Sequence, residues 1–259
     1  MSETISHSPG EAGRPTPAAA PFSRRWLVTA IGLSGALGAC APVSGVSTPR
    51  LAALRSVIPA GPLPAGLDPG YAHSYGGFED GGFRIEPVNL NRMNPRFLRQ
   101  EVAFSGPEAA GTIIVDIPAR HLYLVLPGGR AMRYGVGVGR EEAFNIKGKA
   151  IIQRKAEWPR WIPTPEMIAR EPERYAKFKD GVDGGLQNPI GARALYLYQN
   201  GKDTYARLHG TTEPYTIGTM VSSGCIRLMN QDIIDLYERV PVGTTVDVRS
   251  QGIGRVAAR

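Results

Sequence analysis

The sequence predicts a mostly-β fold: a compact, sheet-dominated domain from about residue 111 to residue 249 with one or two short helices. Short β-branched or alternating apolar segments follow one another after Gly111, turns that contain Pro and Gly separate them, and helical periodicity is confined to two segments. The chain has 259 residues, of which 42% are apolar and 8% aromatic. These values are typical of a soluble globular protein with one domain of this size.

The strands are predicted in chain order from local patterns. Residues 112–117 are β-branched and apolar, and residues 121–126 alternate Leu with His, Tyr and Val. A Pro-Gly-Gly turn leads into residues 130–138, so these segments form a hairpin or meander. Further strands are expected at residues 149–155, 192–198, 204–208 and 244–249. Residues 97–104 are apolar enough to add a short strand, which the sequence leaves open.

Two segments have helical character. Residues 166–179 are predicted to form a surface helix. Asn230 is predicted to cap a second helix over residues 231–240, since Asn is a preferred residue at that position. The apolar face of this helix consists of Ile233, Leu236, Tyr237 and Val240.

The N-terminal part is predicted to direct export. Residues 1–39 have the order of a signal peptide, in which Arg24 and Arg25 precede an apolar, small-residue stretch and resemble a twin-arginine signal. The sequence Leu-Gly-Ala-Cys ending at Cys40 resembles a bacterial lipobox, which predicts lipidation of Cys40 and a membrane anchor; a plain cleavage near Ala39 is the alternative. Residues 40–95, rich in Pro and Gly, are predicted to be a tether or loosely packed lead-in, and residues 250–259 a tail.

Composition argues against several classes of function. The chain has two cysteines, and its histidines, His7, His73, His121 and His209, lack the spacing of metal ligands, so no metal site is expected. The 30 Lys and Arg against 23 Asp and Glu give a net charge of +7. No basic run with interleaved aromatic residues accompanies this charge, which argues against nucleic acid. A mild positive charge suits an anionic partner such as a cell-wall polymer.

Cys225 is the candidate nucleophile. It follows Gly224 in a predicted turn before the second helix, and once Cys40 is assigned to the anchor it is the remaining thiol, which makes it a candidate reactive group in an oxidising compartment. Arg227 and the nearby backbone amides favour a thiolate and an oxyanion, and His209 is the most plausible base. From spacing alone, a buried cysteine and an unrelated surface histidine fit equally well.

Several ordered motifs resemble a known family. His209-Gly210-Thr211, Ile217-Gly218 and the run from Ser222 to Leu228 are similar to the signature of L,D-transpeptidases with a YkuD-type catalytic domain. The stretches 158–163 and 188–195 resemble two further segments of that family in the same order. The resemblance covers about residues 96–249 and implies a compact, mostly-β, β-sandwich-like catalytic domain over these residues. Many members have His where this chain has Ser223, which places any role of a second imidazole in doubt.

The resemblance implies a cysteine acyltransferase that acts on peptidoglycan tetrapeptide stems in the periplasm without a cofactor. Cys225 would attack the carbonyl of the third residue, a diamino acid, and release D-alanine, while His209, oriented by the Gly210 carbonyl, moves the proton. The resulting thioester would pass to an amine of another stem, giving a 3,3 crosslink, or of an outer-membrane lipoprotein. The residues implied for the oxyanion are Ser223, Gly224 and Cys225, and those considered for substrate contact are Arg227, Trp158, Trp161 and Tyr215.

Each substrate-contact residue also has a structural interpretation. Core packing accounts for Trp158 and Trp161, strand packing for Tyr215, and an ion pair for Arg227. Three other functions use the same sequence features. Water in place of the amine would make the protein an L,D-carboxypeptidase or an amidase, and a wall-binding lipoprotein would need no catalysis. Papain-like proteolysis is disfavoured because His209 precedes Cys225 in the chain.

Overall fold

The N-terminal part of the described chain folds against the rest of the molecule. The computed structural model describes residues 57–141 and 144–253, which belong to one of the two compact units of the chain, Ser47–Arg259. The N-terminal part, residues 57–97, contains helix α1 (Gly70–Ser74), strands β1 (Phe78–Asp80) and β2 (Phe83–Ile85), and 3₁₀ turns at Leu90–Arg92 and Pro95–Phe97. The expected signal peptide and Cys40 lie outside the described residues.

The lead-in is packed rather than loose. Tyr75 is fully buried and, with Leu90, Phe97 and Leu98, belongs to a cluster of buried apolar side chains that also includes Met229. The β1–β2 hairpin contributes Ile85 to another cluster. The proline and glycine content of residues 57–95 therefore supplies turns within a packed layer, and the predicted tether is not observed in this part of the chain.

A mixed nine-stranded sheet forms the centre of the fold. Its strands are β3 (Gln100–Ala103), β4 (Ile113–Asp116), β5 (His121–Leu126), β6 (Arg130–Gly135), β8 (Gly148–Glu157), β9 (Arg193–Gln199), β10 (Lys202–His209), β12 (Ile226–Arg227) and β13 (Thr245–Arg249). They lie side by side in the order β12-β10-β9-β8-β13-β4-β5-β6-β3. The β10–β12 and β4–β13 pairs are parallel, and the others are antiparallel.

The sheet curls so that its edge strand β12 meets the chain that follows β6, the strand next to the opposite edge. Gly137, just after β6, exchanges two backbone hydrogen bonds of 2.8 and 2.9 Å with Arg227 in β12. Next to this bridge, β7 (Val138–Gly139) pairs in parallel with β11 (Met220–Ser222). The main core accordingly contains Leu122 and Tyr134 from one end of the sheet together with Leu208 from the other. The predicted sandwich is therefore a single curled sheet.

The central strands are buried on both faces. On β5, Leu122 and Leu124 lie in the main core, as the sequence pattern predicts for one face. Tyr123 and Val125 on the other face pack in a second cluster with Val102 of β3. The alternation of side chains therefore separates two apolar environments instead of separating core from solvent.

The predicted helices are present but altered. The segment 166–179 is interrupted, giving α2 (Pro165–Arg170), α3 (Pro172–Tyr175) and a 3₁₀ turn (Ala176–Phe178), because Pro172 has no N–H for a continuous helix. Helix α4 (Asn230–Arg239) begins at Asn230, whose side chain does not cap it. The Asn230 Oδ1 accepts instead the Ala192 N–H at 3.1 Å.

The helices of the described region are short. Within residues 57–141 and 144–253, no helix combines the length and the apolar character that crossing a bilayer requires.

Candidate active site

The parallel pairing of β10 with β12 brings the two predicted catalytic residues to one face of the sheet. His209 is the register partner of Arg227, and Leu208 of Ile226. Side chains two residues apart on a strand share a face, so Cys225, which directly precedes β12, lies on the same face as Arg227 and His209. Cys225 and His209 are 16 residues apart in the sequence. They come to neighbouring strands because the chain between them returns, so that β12 pairs with β10 in parallel.

His209 is buried and oriented by a backbone carbonyl. Its Nδ1 lies 2.6 Å from the Gly210 carbonyl oxygen. Because a carbonyl only accepts, neutral His209 carries its proton on Nδ1 and leaves Nε2 free to act as a base. Burial lowers the pKa of His209 to about 4, and the positive charge of Arg227 adds to this effect. Backbone hydrogen bonds to Gly210 and Ile190 oppose the shift. The imidazole is therefore neutral at physiological pH.

The Cys225 thiol is half-buried and is a free cysteine. Its Sγ donates to the backbone carbonyl of Tyr205 at 3.7 Å. Burial raises the pKa of the thiol above its ordinary value, although the nearby charges of Arg207 and Arg227 favour the thiolate. A thiol and a neutral imidazole are thus the resting pair, and proton transfer has to accompany attack by sulfur.

The turn before Cys225 is held by its own hydrogen bonds. The Ser222 hydroxyl donates to the Cys225 carbonyl at 2.5 Å and accepts the Gly224 N–H at 3.2 Å. Since that amide is engaged, Gly224 does not fit the oxyanion role implied by the family resemblance. Among the described contacts, the Ser223 and Cys225 amides have no acceptor, so these two N–H groups remain available to a developing negative charge.

Gly224 is required by the geometry of this turn. Its φ is +124°, and a Cβ at this position would lie 2.7 Å from the carbonyl oxygen of Phe144. A side chain would therefore be strained both by the backbone conformation and by a clash with backbone atoms.

The short helix α3 contacts the turn that precedes Cys225. Its Tyr175 hydroxyl lies 2.8 Å from the Ser223 Oγ, and the Glu171 carboxylate, just before this helix, accepts a hydrogen bond from Arg140. Trp161 makes edge contacts with the rings of Tyr175 and Phe178. No local sequence pattern indicated Tyr175, because its partner Ser223 is 48 residues away.

Arg227 and Tyr215 are joined through one carboxylate. Arg227 Nη1 lies 2.9 Å from Glu213 Oε2, and the Tyr215 hydroxyl donates to Glu213 Oε1 at 3.3 Å. The ion pair that sequence reasoning considered for Arg227 is therefore present. Tyr215 is exposed, with 57% of its surface accessible, so strand packing does not account for it.

The two tryptophans have different positions. Trp161 packs against a cluster that includes Ala194, the register partner of His209, and therefore lies on the same face of the sheet as His209. Trp158 packs against Phe83 of the lead-in hairpin, with ring centres 4.5 Å apart and the rings tilted by 43°, and its Nε1 donates to Asp80 at 2.9 Å. Trp158 therefore has the structural role, and we do not assign it to substrate contact.

Asp80 forms an ion pair that sequence reasoning missed. Its carboxylate accepts two hydrogen bonds from the Arg193 guanidinium, at 2.7 and 3.0 Å. Both side chains are buried. The Arg193 carbonyl in turn accepts the Gly210 N–H at 3.2 Å, which connects the lead-in to the residue that orients His209.

Thiol, imidazole, amides and guanidinium groups make up the site. Within the described residues, no three His, Cys, Asp or Glu side chains gather where they could hold a metal ion. The arrangement is suited to nucleophilic attack on a carbonyl, with His209 as the proton carrier.

Comparison with known proteins identifies related sequences. A model of the L,D-transpeptidase catalytic domain, YkuD, matches residues 110–248. The probable L,D-transpeptidase ErfK/SrfK of Escherichia coli is 36% identical over 145 residues, which cover 54% of this chain and 44% of that protein. The probable L,D-transpeptidase YbiS of the same organism is 40% identical over 113 residues, covering 43% and 35%. The chain thus spans less than half the length of these two relatives.

A solved structure from Brucella melitensis is also similar. It is described as a probable carnitine operon oxidoreductase, is 51% identical, and is matched over 96% of its length and 60% of this chain, with a TM-score of 0.42.

Proposed function

Because the chain belongs to the L,D-transpeptidase family with a YkuD catalytic domain, we propose that it is a peptidoglycan L,D-transpeptidase with Cys225 as nucleophile and His209 as base. The observation that carries this proposal is the pairing of β10 with β12, which sets the Cys225 turn beside an imidazole whose Nδ1 is fixed by Gly210. The substrate is a tetrapeptide stem with a diamino acid in third position and a terminal D-alanine.

The reaction starts from neutral partners. Cys225 Sγ leaves the Tyr205 carbonyl, transfers its proton to His209 Nε2 and attacks the carbonyl carbon of the third stem residue. The amides of Ser223 and Cys225 stabilise the oxyanion, each contributing about 3 kcal/mol. His209 then protonates the departing amine, the C–N bond breaks, D-alanine leaves, and a thioester remains on Cys225.

An amine resolves the thioester. The side-chain amine of another stem attacks the acyl carbon, His209 accepts a proton, and the thiol is regenerated as the new amide forms. The product is a 3,3 crosslink when the acceptor is a stem, or a protein–wall bond when it is a lysine of an outer-membrane lipoprotein. This sequence of steps uses the thiol, the imidazole and the backbone amides and requires no cofactor.

A product assay tests the proposal. The full chain is incubated with purified disaccharide tetrapeptides, and the products are analysed by mass spectrometry. Crosslinked dimers with loss of D-alanine support transfer, whereas tripeptides alone identify an L,D-carboxypeptidase and contradict it. Cys225→Ala is the matched control, and unchanged product formation by this variant would refute catalysis by Cys225, whereas the absence of any product from the wild type would favour a wall-binding protein without catalysis. A carbapenem, as an acylating mimic, is expected to add its mass to Cys225.

The N-terminal part is proposed to place this activity at a membrane facing the wall. Residues 1–39 would direct export to the periplasm by the twin-arginine route, and lipidation of Cys40 would anchor the chain, with the outer membrane preferred because Ala41 follows the cysteine. Fractionation of cells that express Cys40→Ser tests this. The variant is expected in the soluble fraction, and recovery with membranes would exclude the lipobox.

A further inference from the structure

Three long side chains form a row across the face of the sheet that carries His209. Arg154 in β8 is the register partner of Tyr196 in β9, and Tyr196 is the partner of Arg207 in β10. Paired residues on neighbouring strands project from the same face. Arg207 has the same parity as His209, so the row runs along the face that carries His209, and its Arg207 end lies beside Cys225.

The two guanidinium groups of this row stack on one aromatic ring. The Arg154 guanidinium carbon lies 3.4 Å from the Tyr196 ring centre, and that of Arg207 lies 4.4 Å from it. Tyr196 is buried, with 5% of its surface accessible. Stacking of this kind fixes the plane of an arginine while its N–H groups stay free to bind a ligand.

The two arginines differ in charge compensation. Arg207 makes two hydrogen bonds to Asp203, of 2.6 and 2.8 Å, so its charge is neutralised within the protein. Arg154 is exposed, and within residues 57–141 and 144–253 no carboxylate lies at ion-pair distance from it. The outer end of the row therefore presents a pre-oriented positive charge without a protein counter-ion.

We propose that Arg154 is a subsite for a carboxylate of the donor peptide stem. This inference rests on the proposed function. Neighbouring strands lie about 4.8 Å apart, so the Tyr196 ring, two strands from β12, is about 10 Å from the position of Cys225. An extended peptide spans about 3.4 Å per residue. The carboxylate of the departing D-alanine is one residue from the attacked carbonyl, and it is therefore too close to reach Arg154.

Two carboxylates of a stem match this distance. One belongs to the residue that precedes the diamino acid, and the other terminates the side chain of the diamino acid. Both are about 7 to 10 Å from the attacked carbonyl when extended. A planar guanidinium binds a carboxylate through paired hydrogen bonds, whereas a carboxamide offers one acceptor and no charge. Arg154 thus selects stems in which the carboxylate at this distance is free.

Matched synthetic stems test the proposal. Three tetrapeptide stems are compared: one with both carboxylates free, one amidated on the residue before the diamino acid, and one amidated on the diamino acid side chain. Acylation of Cys225 in the full chain is followed by intact-protein mass spectrometry to give kcat/KM. We expect the wild type to prefer the free stem over one amidated stem by about 10-fold, in line with a charged hydrogen bond that is partly exposed to water.

Arg154→Gln is expected to reduce this preference to about 1 without slowing acylation by the disfavoured amidated stem. Arg154→Lys, which retains the charge but not the fork, is expected to keep part of it. Arg130→Gln is the matched control, because Arg130 lies on β6 and pairs with Glu101, and its preference should equal that of the wild type. The identity of the disfavoured stem assigns the carboxylate.

The failures of the two proposals are distinguishable. If the wild type is acylated equally by all three stems, or if Arg154→Gln keeps the preference, the subsite is refuted while the transpeptidase function stands. If no stem acylates Cys225, the proposed function and the subsite are refuted together. The melting temperature of Arg154→Gln is measured as well. A value equal to that of the wild type shows that the change in acylation reflects binding and not folding.

Discussion

Removal of the Asp80 carboxylate is expected to destabilise the protein strongly. Asp80 and Arg193 are buried, with 6% and 3% of their surfaces accessible, and the carboxylate also accepts the Trp158 N–H. In Asp80→Ala, the carboxylate that remains near the Arg193 guanidinium is that of the more exposed Glu157, at 3.6 Å. Breaking a buried pair from one side typically costs about 3–5 kcal/mol, because the other charge stays buried without compensation.

This free energy corresponds to a large shift in melting temperature. For a folded unit of this size, 1 kcal/mol changes Tm by about 2–4 °C, so Asp80→Ala should melt about 6–20 °C below the wild type. The assay is thermal and urea unfolding of the full chain, followed by circular dichroism. Glu79→Ala, an exposed neighbour in the same hairpin, is the matched control and should stay within about 0.5 kcal/mol of the wild type.

The double variant Asp80→Ala/Arg193→Met separates two contributions to the lost stability: the loss of the ion pair and the burial of an uncompensated guanidinium. If the penalty arises from the uncompensated guanidinium, the double variant should be more stable than Asp80→Ala, because its second change removes the buried charge. An Asp80→Ala protein within 1 kcal/mol of the wild type would refute the reasoning, since it would mean that the lead-in does not hold Arg193 in solution.

Three further results are expected. The acid limb of kcat/KM should lie near pH 4, because burial lowers the pKa of His209 to about that value and protonation below it removes the base; a limb between pH 6 and 7 would contradict this. Tyr175→Phe and Ser223→Ala should each cost about 1 kcal/mol of stability, and the two losses should not add, since both remove one hydrogen bond. Gly224→Ala should slow acylation by about 100-fold or more through displacement of the turn, whereas Gly243→Ala, at an open position with similar φ, should leave acylation unchanged.

The same lowered pKa makes folding stability depend on pH. Native His209 binds a proton only near pH 4, whereas in the unfolded chain its ordinary pKa of 6.5 applies. Between these two values the unfolded state binds more protons, so stability falls as the pH is lowered through this range. The stabilising contribution of neutral His209 is complete above pH 6.5.

Local patterns predicted the longer strands well. Residues 121–126 form β5 within the same bounds, because alternation over six residues is a property of the segment itself. Strand β12 contains only Ile226 and Arg227 and exists through its pairing with β10, so no local pattern marks it. The break at Pro172 was readable from the sequence, since proline interrupts a helix.

The site residues also fall into two groups: those that local sequence motifs reveal and those that depend on contacts in the folded chain. Cys225, His209 and Gly210 stand in motifs, and their neighbours in the chain reveal them. Asp80 is 113 residues from Arg193, in a stretch whose glycines and prolines resemble a linker, so its role depends on a contact that exists only in the folded chain. Asn230 shows the converse, because its local preference for a helix cap is overridden by a hydrogen bond to Ala192.

The lead-in and the catalytic residues are physically continuous. Asp80 holds the Arg193 side chain, the Arg193 carbonyl holds the Gly210 amide, and the Gly210 carbonyl holds the imidazole of His209. A chain shortened to residues 96–249 would retain every motif of the family, yet it would lose the Asp80–Arg193 ion pair and the buried packing of Tyr75, Leu90 and Ile85, a loss that a domain of marginal stability does not easily tolerate. The segment that the sequence presents as a tether is therefore connected, through these hydrogen bonds, to the imidazole that we propose as the base.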